Sequence, residues 1–341
     1  MSGRPDTDVG VSGAGPGEPE VVVVGSACRD IASDDPRGWR LGGSVTYAAL
    51  ATARLGVRTA AIIGLDPPAF EAHELELLRR AGADVLRVPL PRGAVFLNVD
   101  TPGGRVQTCV DPGHPLPLGA LPGAWRGVRA WVLAPVAGEL DDAWADQIPA
   151  DAYVALGWQG LLRTLRAGAL VTRRAPAPGR LVRRADLVSL SEHDVEPGTS
   201  LEDLAACLHP GAWLVVTNGV AGGLLADVTA GGVERVARYL AIAAEHEVDA
   251  TGAGDTFFAA LVASVVRPTP DAARSRAGGC AAGEARPGEA RPVPNLRFAA
   301  ATASFAVEGL GLEALPDRAA VLRRLAGPAG QSFPEPPSSS T

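Results

Sequence analysis

The sequence DATGAGDTFFAAL fills residues 249–261 and decides how this 341-residue chain folds. From Ala253 to about Val266 the apolar residues recur at the spacing of one buried helical face, and the Thr-Gly pair just ahead favours an entry turn. We therefore predict a helix that begins at the glycines and ends near Val266. Small residues at its start let a ligand approach the backbone closely.

The start of this predicted helix has the physical properties of a phosphate site. The N–H groups of a first helical turn have no partner within the helix, and they lie at the positive end of the helix dipole. Asp255 falls inside this turn, where its carboxylate should stay ionised and can accept a hydroxyl proton during phosphoryl transfer. The alternative is an Asp that only complements the helix dipole after a glycine turn.

The composition argues against several classes of protein. With 47% hydrophobic residues and a formal net charge of -7, the chain can bury a large core, and neither nucleic acid nor an anionic membrane is expected as its main partner. The longest apolar runs, such as Val21 to Val24, are far shorter than the roughly 20 residues of a membrane-spanning helix. Met1 to Glu20 lacks the basic start and apolar stretch of a targeting peptide, so we expect a cytoplasmic protein.

The cysteine and lysine contents restrict the chemistry further. Cys28, Cys109, Cys207 and Cys280 are dispersed without paired spacing, which favours free thiols over disulfides or a zinc site. All 31 basic residues are arginine, because the sequence contains no lysine. A phosphate loop with a Gly-Lys-Ser/Thr motif and a Schiff-base mechanism are therefore both excluded.

Strand and helix patterns alternate along the chain, which indicates an α/β fold with a mostly parallel central sheet flanked by helices. A hairpin is also predicted, because residues 94–100 and 105–110 alternate in polarity around Thr101-Pro102-Gly103-Gly104; a plain edge hairpin is the alternative. The predicted strands are residues 20–25, 58–64, 130–134, 153–156, 186–190 and 213–217, and the further predicted helices are residues 43–55, 68–81, 201–208 and 297–307.

The chain is expected to form one globular domain with disordered additions. The domain is predicted over residues 20–326, between disordered tails at residues 1–19 and 327–341. Residues 267–294 are crowded with Pro, Gly, Ala, Arg and Glu, which predicts a mostly disordered insertion.

The string Asp-Ala-x-Gly-Ala-Gly-Asp-Thr-Phe resembles the C-terminal signature of the ribokinase-like, or PfkB, carbohydrate kinases. The resemblance implies that Asp255 is the catalytic base and that the amides of Gly252, Ala253 and Gly254 form an anion hole. It also implies ATP and Mg²⁺ as cofactors, and a ribokinase-like fold with a small β lid over the sugar, here built from strands near residues 30–41 and 93–111.

Two N-terminal segments are similar to the substrate-binding elements of this family. The segment GSACRD ends in Asp30, which by resemblance accepts hydrogen bonds from substrate hydroxyls. The segment LGGSVTYAA supplies Gly42 and Gly43, against which the sugar would lie, at the edge of the sheet where ligands of α/β proteins gather. Tyr47 stands where the family usually has Asn, and Ser44 replaces a Lys of some ribokinases. We expect Tyr47 to stack on a ring or to narrow the pocket.

The segment SLSEHDVE resembles the Asn-x-x-Glu element with which the family organises Mg²⁺. Ser191 and Asp194 stand at the Asn and Glu positions, and Glu192 is a second candidate ligand. The other interpretation is an acidic N-terminal cap on the next helix. Glu139, in the loop after a predicted strand, is a further candidate for contact with the lid or the substrate, unless it is an ordinary exposed loop residue.

The segment VVTNGVAGG matches the strand-end Thr-x-Gly-x-x-Gly of the family. This match implies that Thr217, Gly219 and Gly222 meet the nucleotide phosphates. The alanine-rich helix predicted over residues 297–307 resembles the helix that lines the adenine pocket, with Ala300 as the expected wall. The exit loop of that helix can help to form a monovalent-cation site in this family.

These elements together predict ATP-dependent phosphorylation of a hydroxymethyl or hydroxyl group on a sugar or related small molecule. A nucleoside or cyclitol (inositol) kinase of the same family is an alternative, because Tyr47 and the loop GWQG at residues 157–160 offer aromatic walls that suit rings. A catalytically weak nucleotide-binding regulator is the non-enzyme alternative, which the altered motifs favour and Asp255 opposes. An exposed lid edge also favours a homodimer formed through the lid.

Overall fold

The computed structural model describes residues 17–101, 104–268 and 292–327. Most of the predicted tails, residues 1–19 and 327–341, and most of the predicted insertion at 267–294 lie outside these residues. In the part that is described, the strands form a nine-stranded sheet, a five-stranded sheet and a two-stranded ladder. Within the described residues, no helix is long and apolar enough to cross a bilayer.

The regular elements follow the alternation expected from the sequence. The strands are β1 (Val21–Ser26), β2 (Cys28–Ile31), β3 (Trp39–Gly42), β4 (Thr59–Leu65), β5 (Asp84–Pro89), β6 (Ala94–Thr101), β7 (Gly104–Pro112), β8 (Ala130–Leu133), β9 (Tyr153–Gly157), β10 (Arg163–Thr164), β11 (Ala169–Leu170), β12 (Thr172–Arg173), β13 (Leu187–Ser191), β14 (Trp213–Thr217), β15 (Gly223–Thr229) and β16 (Gly232–Tyr239). The helices are α1 (Ser44–Arg54), α2 (Glu74–Arg80), α3 (Arg180–Arg183), α4 (Leu201–Ala205), α5 (Ala253–Val266), α6 (Leu296–Ala306) and α7 (Arg318–Ala326).

The central sheet has the strand order β16-β15-β14-β13-β9-β8-β1-β4-β5. Its strands are parallel from β14 to β5, whereas β15 and β16 form an antiparallel hairpin at one edge. Helices cover both faces, which explains why β1 is a continuous run of buried valines. Val21 and Val23 belong to the core on one face, and Val22 and Val24 belong to the core on the other. The prediction of a mostly parallel, helix-flanked sheet is confirmed.

The two cores draw on different elements. Helices α1, α2, α5, α6 and α7 pack on the face that holds Val21. The opposite core contains residues of α3 and α4 and three fully buried tryptophans, Trp131, Trp144 and Trp158. Helix α5 is therefore fixed along its length by apolar packing, and its N-terminus lies near the carboxyl ends of the parallel strands.

The five-stranded sheet has the order β11-β7-β6-β2-β3 and continues from the carboxyl end of β1. We call this sheet the lid. Its side chains alternate between two faces, because Asn98 lies opposite Gln107 and Val99 lies opposite Val106 across the β6–β7 pair. Asn98 and Gln107 face the central sheet, whereas the outer face carries exposed apolar residues, namely Ile31, Leu97, Val99 and Val106.

Two predicted helices are shorter than expected. The helix predicted over residues 68–81 begins only at Glu74, because the backbone N–H of Ala69 donates to the Asp66 side chain (3.2 Å) and closes a turn there. The helix predicted over residues 201–208 ends at Ala205. Helix α5, in contrast, spans the residues predicted for it.

Candidate active site

A large cavity of about 1520 Å³ lies between the lid, the N-terminus of α5 and the carboxyl ends of β9, β13 and β14. Most of the predicted site residues line it, namely Asp30, Gly43, Tyr47, Asp194, Thr217, Gly219, Gly222, Gly252, Ala253, Gly254, Asp255 and Ala300. Gly42, Glu139 and Glu192 are not part of its lining. Residues far apart in the sequence are thus gathered where ligands of open α/β sheets bind.

The N-terminus of α5 offers unpaired backbone donors to this cavity. Within the described residues, the N–H of Thr256 donates to the Gly252 carbonyl, but no acceptor lies within reach of the N–H groups of Gly254 and Asp255. A Cβ added at Gly254 would meet nothing within 4 Å, so the backbone there is open to the cavity. This helix of 14 residues therefore presents free N–H groups and its positive dipole end to a ligand.

Gly252 is fixed both by its conformation and by its neighbour. Its φ of 78° lies in the left-handed region, which side chains other than glycine rarely adopt. A Cβ at this position would lie only 2.1 Å from Cε1 of Tyr47. The Tyr47 ring is therefore packed directly against the turn that starts α5, and it narrows the cavity at this point.

Asp255 lies in the first turn of α5, in an environment that weakens its ionisation. Burial raises the pKa of Asp255 to about 6, and the carboxylates of Asp194 and Asp30 act in the same direction. The nearby hydroxyl of Ser44 and the positive charge of Arg163 act against this rise in the pKa. A carboxylate with such a pKa is a better proton acceptor than an ordinary Asp and is still ionised at neutral pH.

Asp30 is held by a row of side chains that runs into the lid. Nε2 of Gln107 donates to Oδ1 of Asn98 (2.8 Å), and Nδ2 of Asn98 donates to Oδ1 of Asp30 (3.0 Å). Burial raises the pKa of Asp30 to about 6, and the hydrogen bond from Asn98 opposes this shift. Gly42 has no room for a side chain, because an added Cβ would lie 2.2 Å from Oδ2 of Asp30.

Tyr47 is almost completely buried, with 2% of its surface exposed. Burial, and after it the charges of Asp30 and Asp255, raise the pKa of the Tyr47 phenol well above its usual value. The phenol is therefore neutral, and it can donate a hydrogen bond to a ligand oxygen. Because Tyr47 packs on Gly252, it lies between Asp30, where the acceptor is predicted, and the start of α5, where the phosphate is predicted.

Asp194 lies in the cavity wall and also belongs to a capping box. Its Oδ2 accepts from the N–H of Ser191 (2.8 Å), and its Oδ1 accepts from Nε2 of Gln159 (3.1 Å). Oγ of Ser191 in turn accepts from the N–H of His193 (3.2 Å). This capping box belongs to the short turn at residues 192–194, whereas the next helix, α4, is capped by Ser200. Asp194 also lines the cavity. Glu192 is exposed and does not line the cavity.

The predicted nucleotide residues lie at the other end of the cavity. Thr217 ends β14, and Gly219 begins the turn that follows. Gly222 has a φ of 86°, and a Cβ there would lie 2.0 Å from the Tyr239 carbonyl oxygen. Gly222 is thus required by the packing of the turn on β16, whatever ligand it meets. Ala300 lies on α6 and lines the same end.

The expectation that Glu139 contacts the lid or the substrate is corrected. Its side chain is 4% exposed, and its carboxylate accepts hydrogen bonds from backbone N–H groups of Ser26 (2.8 Å), Val136 (3.1 Å) and Ala137 (2.8 Å). Glu139 therefore ties the loop after β8 to the end of β1. A buried carboxylate that is surrounded by donors is a structural anchor rather than an exposed loop residue.

Several cavity residues were not identified from the sequence. Asn98 and Gln107 were missed, although their alternation in the predicted hairpin placed them on one face. Arg105 of the lid was also missed: its Nη1 donates to Oγ1 of Thr251 (2.7 Å), and its Nη2 lies 3.3 Å from Oδ1 of Asp249. Arg163 lines the cavity as well, and no local motif marks it.

Residues 172–318 match the model of the pfkB family carbohydrate kinases. No curated protein matches the chain in sequence. The matched segment contains Thr217, Asp194 and the start of α5, but not Asp30 or the hairpin of the lid.

Solved structures of low sequence identity share the fold over nearly the whole chain. A pyrophosphate-dependent kinase of the ribokinase family in complex with sulfate has a TM-score of 0.62 at 16% identity, over 89% of this chain and 99% of that one. A pyrophosphate-dependent kinase of that family with a pyrophosphate analog and myo-inositol has a TM-score of 0.60 at 17% identity, over the same shares. The Arabidopsis thaliana ribokinase with ribose and ATP has a TM-score of 0.59 at 21% identity, over 91% and 99%. This protein therefore has the ribokinase-like fold, and its C-terminal half carries the match to the pfkB family carbohydrate kinases.

Proposed function

We propose that this protein is a kinase that transfers a phosphoryl group to a hydroxyl of a ring-shaped polyol, a sugar or a cyclitol. One observation carries the proposal: Asp255, with a pKa near 6, lies beside the unpaired N–H groups of α5 in the same cavity as Asp30. A base, an anion hole and a carboxylate that can hold hydroxyls are the parts this reaction needs. We assign the whole activity to one domain over residues 20–326, with the lid as its cover.

The proposed reaction uses the residues of the cavity in the following way. Asp30 accepts hydrogen bonds from hydroxyls of the acceptor, and its partner Asn98 fixes the carboxylate. Asp255 accepts the proton of the attacking hydroxyl as the new O–P bond forms. The N–H groups of Gly254 and Asp255 stabilise the charge on the phosphoryl oxygens, because they are already oriented before the reaction.

The residues present fit a magnesium ion held mainly by ligand oxygens. Mg²⁺ commonly binds one or two carboxylates together with phosphates and waters, and Asp194 is a carboxylate of the cavity wall whose oxygens each keep a free lone pair. No cluster of three metal-ligating side chains occurs in the described ranges. Asp194 would hold the ion, which when bound supplies charge neutralisation of the donor phosphates. We also propose that the loop after α6 helps to bind a monovalent cation.

We propose ATP as the phosphate donor, with Thr217, Gly219 and Gly222 near its phosphates and Ala300 beside its base. The lining of the cavity supports this choice, because apolar residues of α6 such as Ala300 and Ala303 lie where the base of ATP would bind. Pyrophosphate is the second candidate, because two structures of similar fold are those of pyrophosphate-dependent kinases. A nucleoside acceptor and a nucleotide-binding regulator are the remaining alternatives.

The test is a phosphotransfer assay of the purified protein with two donors, MgATP and Mg-pyrophosphate, against three acceptors, D-ribose, myo-inositol and adenosine. Products are identified by mass spectrometry. Turnover of ribose or myo-inositol above the rate without acceptor supports the proposal and names the acceptor class. Clear MgATP binding by calorimetry without turnover of any acceptor would favour the regulator instead.

We further propose that two copies of the chain associate through the lid. The outer lid face supports this, because it exposes Ile31, Leu97, Val99 and Val106 side by side. Light scattering should give the mass of a dimer, and Val99→Arg together with Val106→Arg should give that of a monomer. A monomeric wild type would contradict this part of the proposal.

A further inference from the structure

The segment between β9 and α3 crosses from the central sheet to the lid. It leaves β9 at Gly157, forms the β10–β12 ladder, and through β11 adds an edge strand to β7 of the lid. Gly160 packs tightly in this crossing, because a Cβ there would lie 2.2 Å from the Pro135 carbonyl oxygen. The segment therefore covers one side of the cavity with a fixed backbone, and Arg163 lies on its first strand.

The position of Arg163 is fixed from both sides. The residue before it, Leu162, is buried and accepts from the N–H of Arg174 (2.8 Å). Across the ladder Arg163 is paired with Arg173, whose Nε donates to the carbonyl of His193 (2.7 Å). Its segment is thus anchored next to the capping box of Asp194.

The guanidinium of Arg163 is an uncommitted positive charge of this cavity wall. Arg105 is bound to Asp249 and Thr251, and Arg173 is bound to a backbone carbonyl. Among the described residues, the side chain of Arg163 forms no hydrogen bond and no ion pair within 4 Å, although it lines the cavity. A guanidinium at a cavity wall without a protein partner is available to bind an anionic ligand.

The charge of Arg163 acts on carboxylates at both ends of the site. Its charge lowers the pKa of Asp30, of Asp255 and of the Cys28 thiol, so the guanidinium lies within electrostatic range of both key carboxylates. A phosphoryl group in transfer passes between the acceptor hydroxyl and the start of α5, close to these carboxylates. Their negative charge would repel it unless cations are near, and because the chain has no lysine, this charge must come from arginine together with the proposed Mg²⁺.

We propose that Arg163 is a catalytic residue that contacts the phosphoryl group while it moves from donor to acceptor. The inference rests on the proposed function. In the step, the acceptor oxygen forms a bond to phosphorus, the bond from phosphorus to the leaving donor oxygen breaks with its electron pair on the donor, and the proton goes to Asp255. The planar guanidinium binds two phosphoryl oxygens as their charge shifts.

The experiment compares wild type, Arg163→Gln, Arg163→Lys and the control Arg166→Gln. Arg166 belongs to the same segment, but it is exposed and does not line the cavity. Calorimetry measures the affinity for MgADP with and without tetrafluoroaluminate, whose anion takes the place of the phosphoryl group in transfer. Thermal unfolding of each variant verifies its folding.

We expect tetrafluoroaluminate to raise the MgADP affinity of wild type and Arg166→Gln by roughly 100-fold, as transition-state analogues do. Arg163→Gln should lose most of this gain, and its kcat should fall by about 100-fold, the usual cost of removing one oriented donor. Arg163→Lys should keep part of the gain in MgADP affinity and part of kcat. Lysine keeps the positive charge but lacks the planar guanidinium that can bind two oxygens at once.

An equal gain in wild type and Arg163→Gln, or no gain in wild type, overturns the inference. A rise in acceptor KM without a change in kcat also overturns it, because Arg163 would then hold the acceptor. Turnover of the acceptor panel by wild type tests the proposed function separately. Normal turnover by Arg163→Gln removes this inference alone, whereas a wild type that neither binds MgADP nor transfers phosphate removes both.

Discussion

The two ends of the cavity are built from different groups. At the phosphate end, the ligand would meet backbone N–H groups of Gly254 and Asp255, which the packed helix α5 holds in place. At the acceptor end, it would meet side chains, the row of Gln107, Asn98 and Asp30. Backbone donors persist through most substitutions, whereas a side-chain row is broken by a single one. The first end is suited to a constant ligand, and the second can set selectivity.

The largest effect is expected at the base. Asp255→Asn should lower kcat by about 1,000-fold, within the range that general bases contribute. Because the folded pKa of about 6 exceeds the unfolded one, the ionised carboxylate destabilises the fold above pH 6. The same variant should therefore gain about 1 to 3 kcal/mol in unfolding free energy at pH 7.5. Steady-state kinetics and urea unfolding measure both.

The control for this prediction is Asp151→Asn, which neutralises an exposed carboxylate that pairs with Arg129. It should change neither quantity by more than a small amount. Near-normal turnover of Asp255→Asn would remove Asp255 as the base. Lower stability of that variant would contradict the account of its pKa.

The second largest effect is a difference in stability between substitutions of two glycines at the phosphate end, Gly252 and Gly254. Gly252→Ala should cost about 1 to 3 kcal/mol of stability, because of its positive φ and the contact with Tyr47, and about 100-fold in kcat. Gly254→Ala should leave the stability unchanged, because an added Cβ there meets nothing within 4 Å. Unfolding experiments on the pair compare them directly. Equal stability of the two variants would contradict the packing of Tyr47 on Gly252.

The third effect is a pH dependence that both ends share. Asp255 must be ionised to accept a proton, and its pKa is raised to about 6, so kcat should fall by about tenfold per unit as the pH drops below 6. The same holds for binding by Asp30, whose pKa is also raised to about 6. Kinetics between pH 4.5 and 8 measure the acid limb. An acid limb near pH 4 would show that neither carboxylate is perturbed as described.

The smallest effect is expected in the lid. Asn98→Ala should raise the acceptor KM by about fivefold and leave kcat nearly unchanged, because one hydrogen bond to Asp30 is lost. The acid limb of kcat/KM should also move to higher pH, since this bond lowers the pKa of Asp30. Thr108→Ala, on the other face of the same hairpin, is the control. An unchanged acid limb would mean that Asn98 does not act through Asp30.

The difference between the two ends also explains what the sequence could predict. The apolar spacing after Gly252 predicted α5 with its correct ends, and the valine run predicted β1 to within one residue. Both patterns are local. The row from Gln107 to Asp30 depends on strand register between segments far apart in sequence, which alternation alone does not define.

Arg163 and Glu139 are two charged residues whose positions could not be predicted from the sequence. Arg163 lies in a segment without regular periodicity, so nothing local placed it in the cavity. Glu139 was expected near the substrate or in solvent, but its carboxylate is used by three backbone donors. The fate of a single charged side chain depends on which backbone groups approach it, and a linear pattern does not contain that information.

The bridge from Arg105 to Asp249 and Thr251 connects the lid to the loop that precedes α5. Both charged partners are partly exposed, so dissolved ions weaken their attraction. Ionic strength should therefore act on this contact between the lid and the loop that precedes α5. The salt around the protein can therefore change how firmly the lid is held without changing the apolar packing that fixes α5.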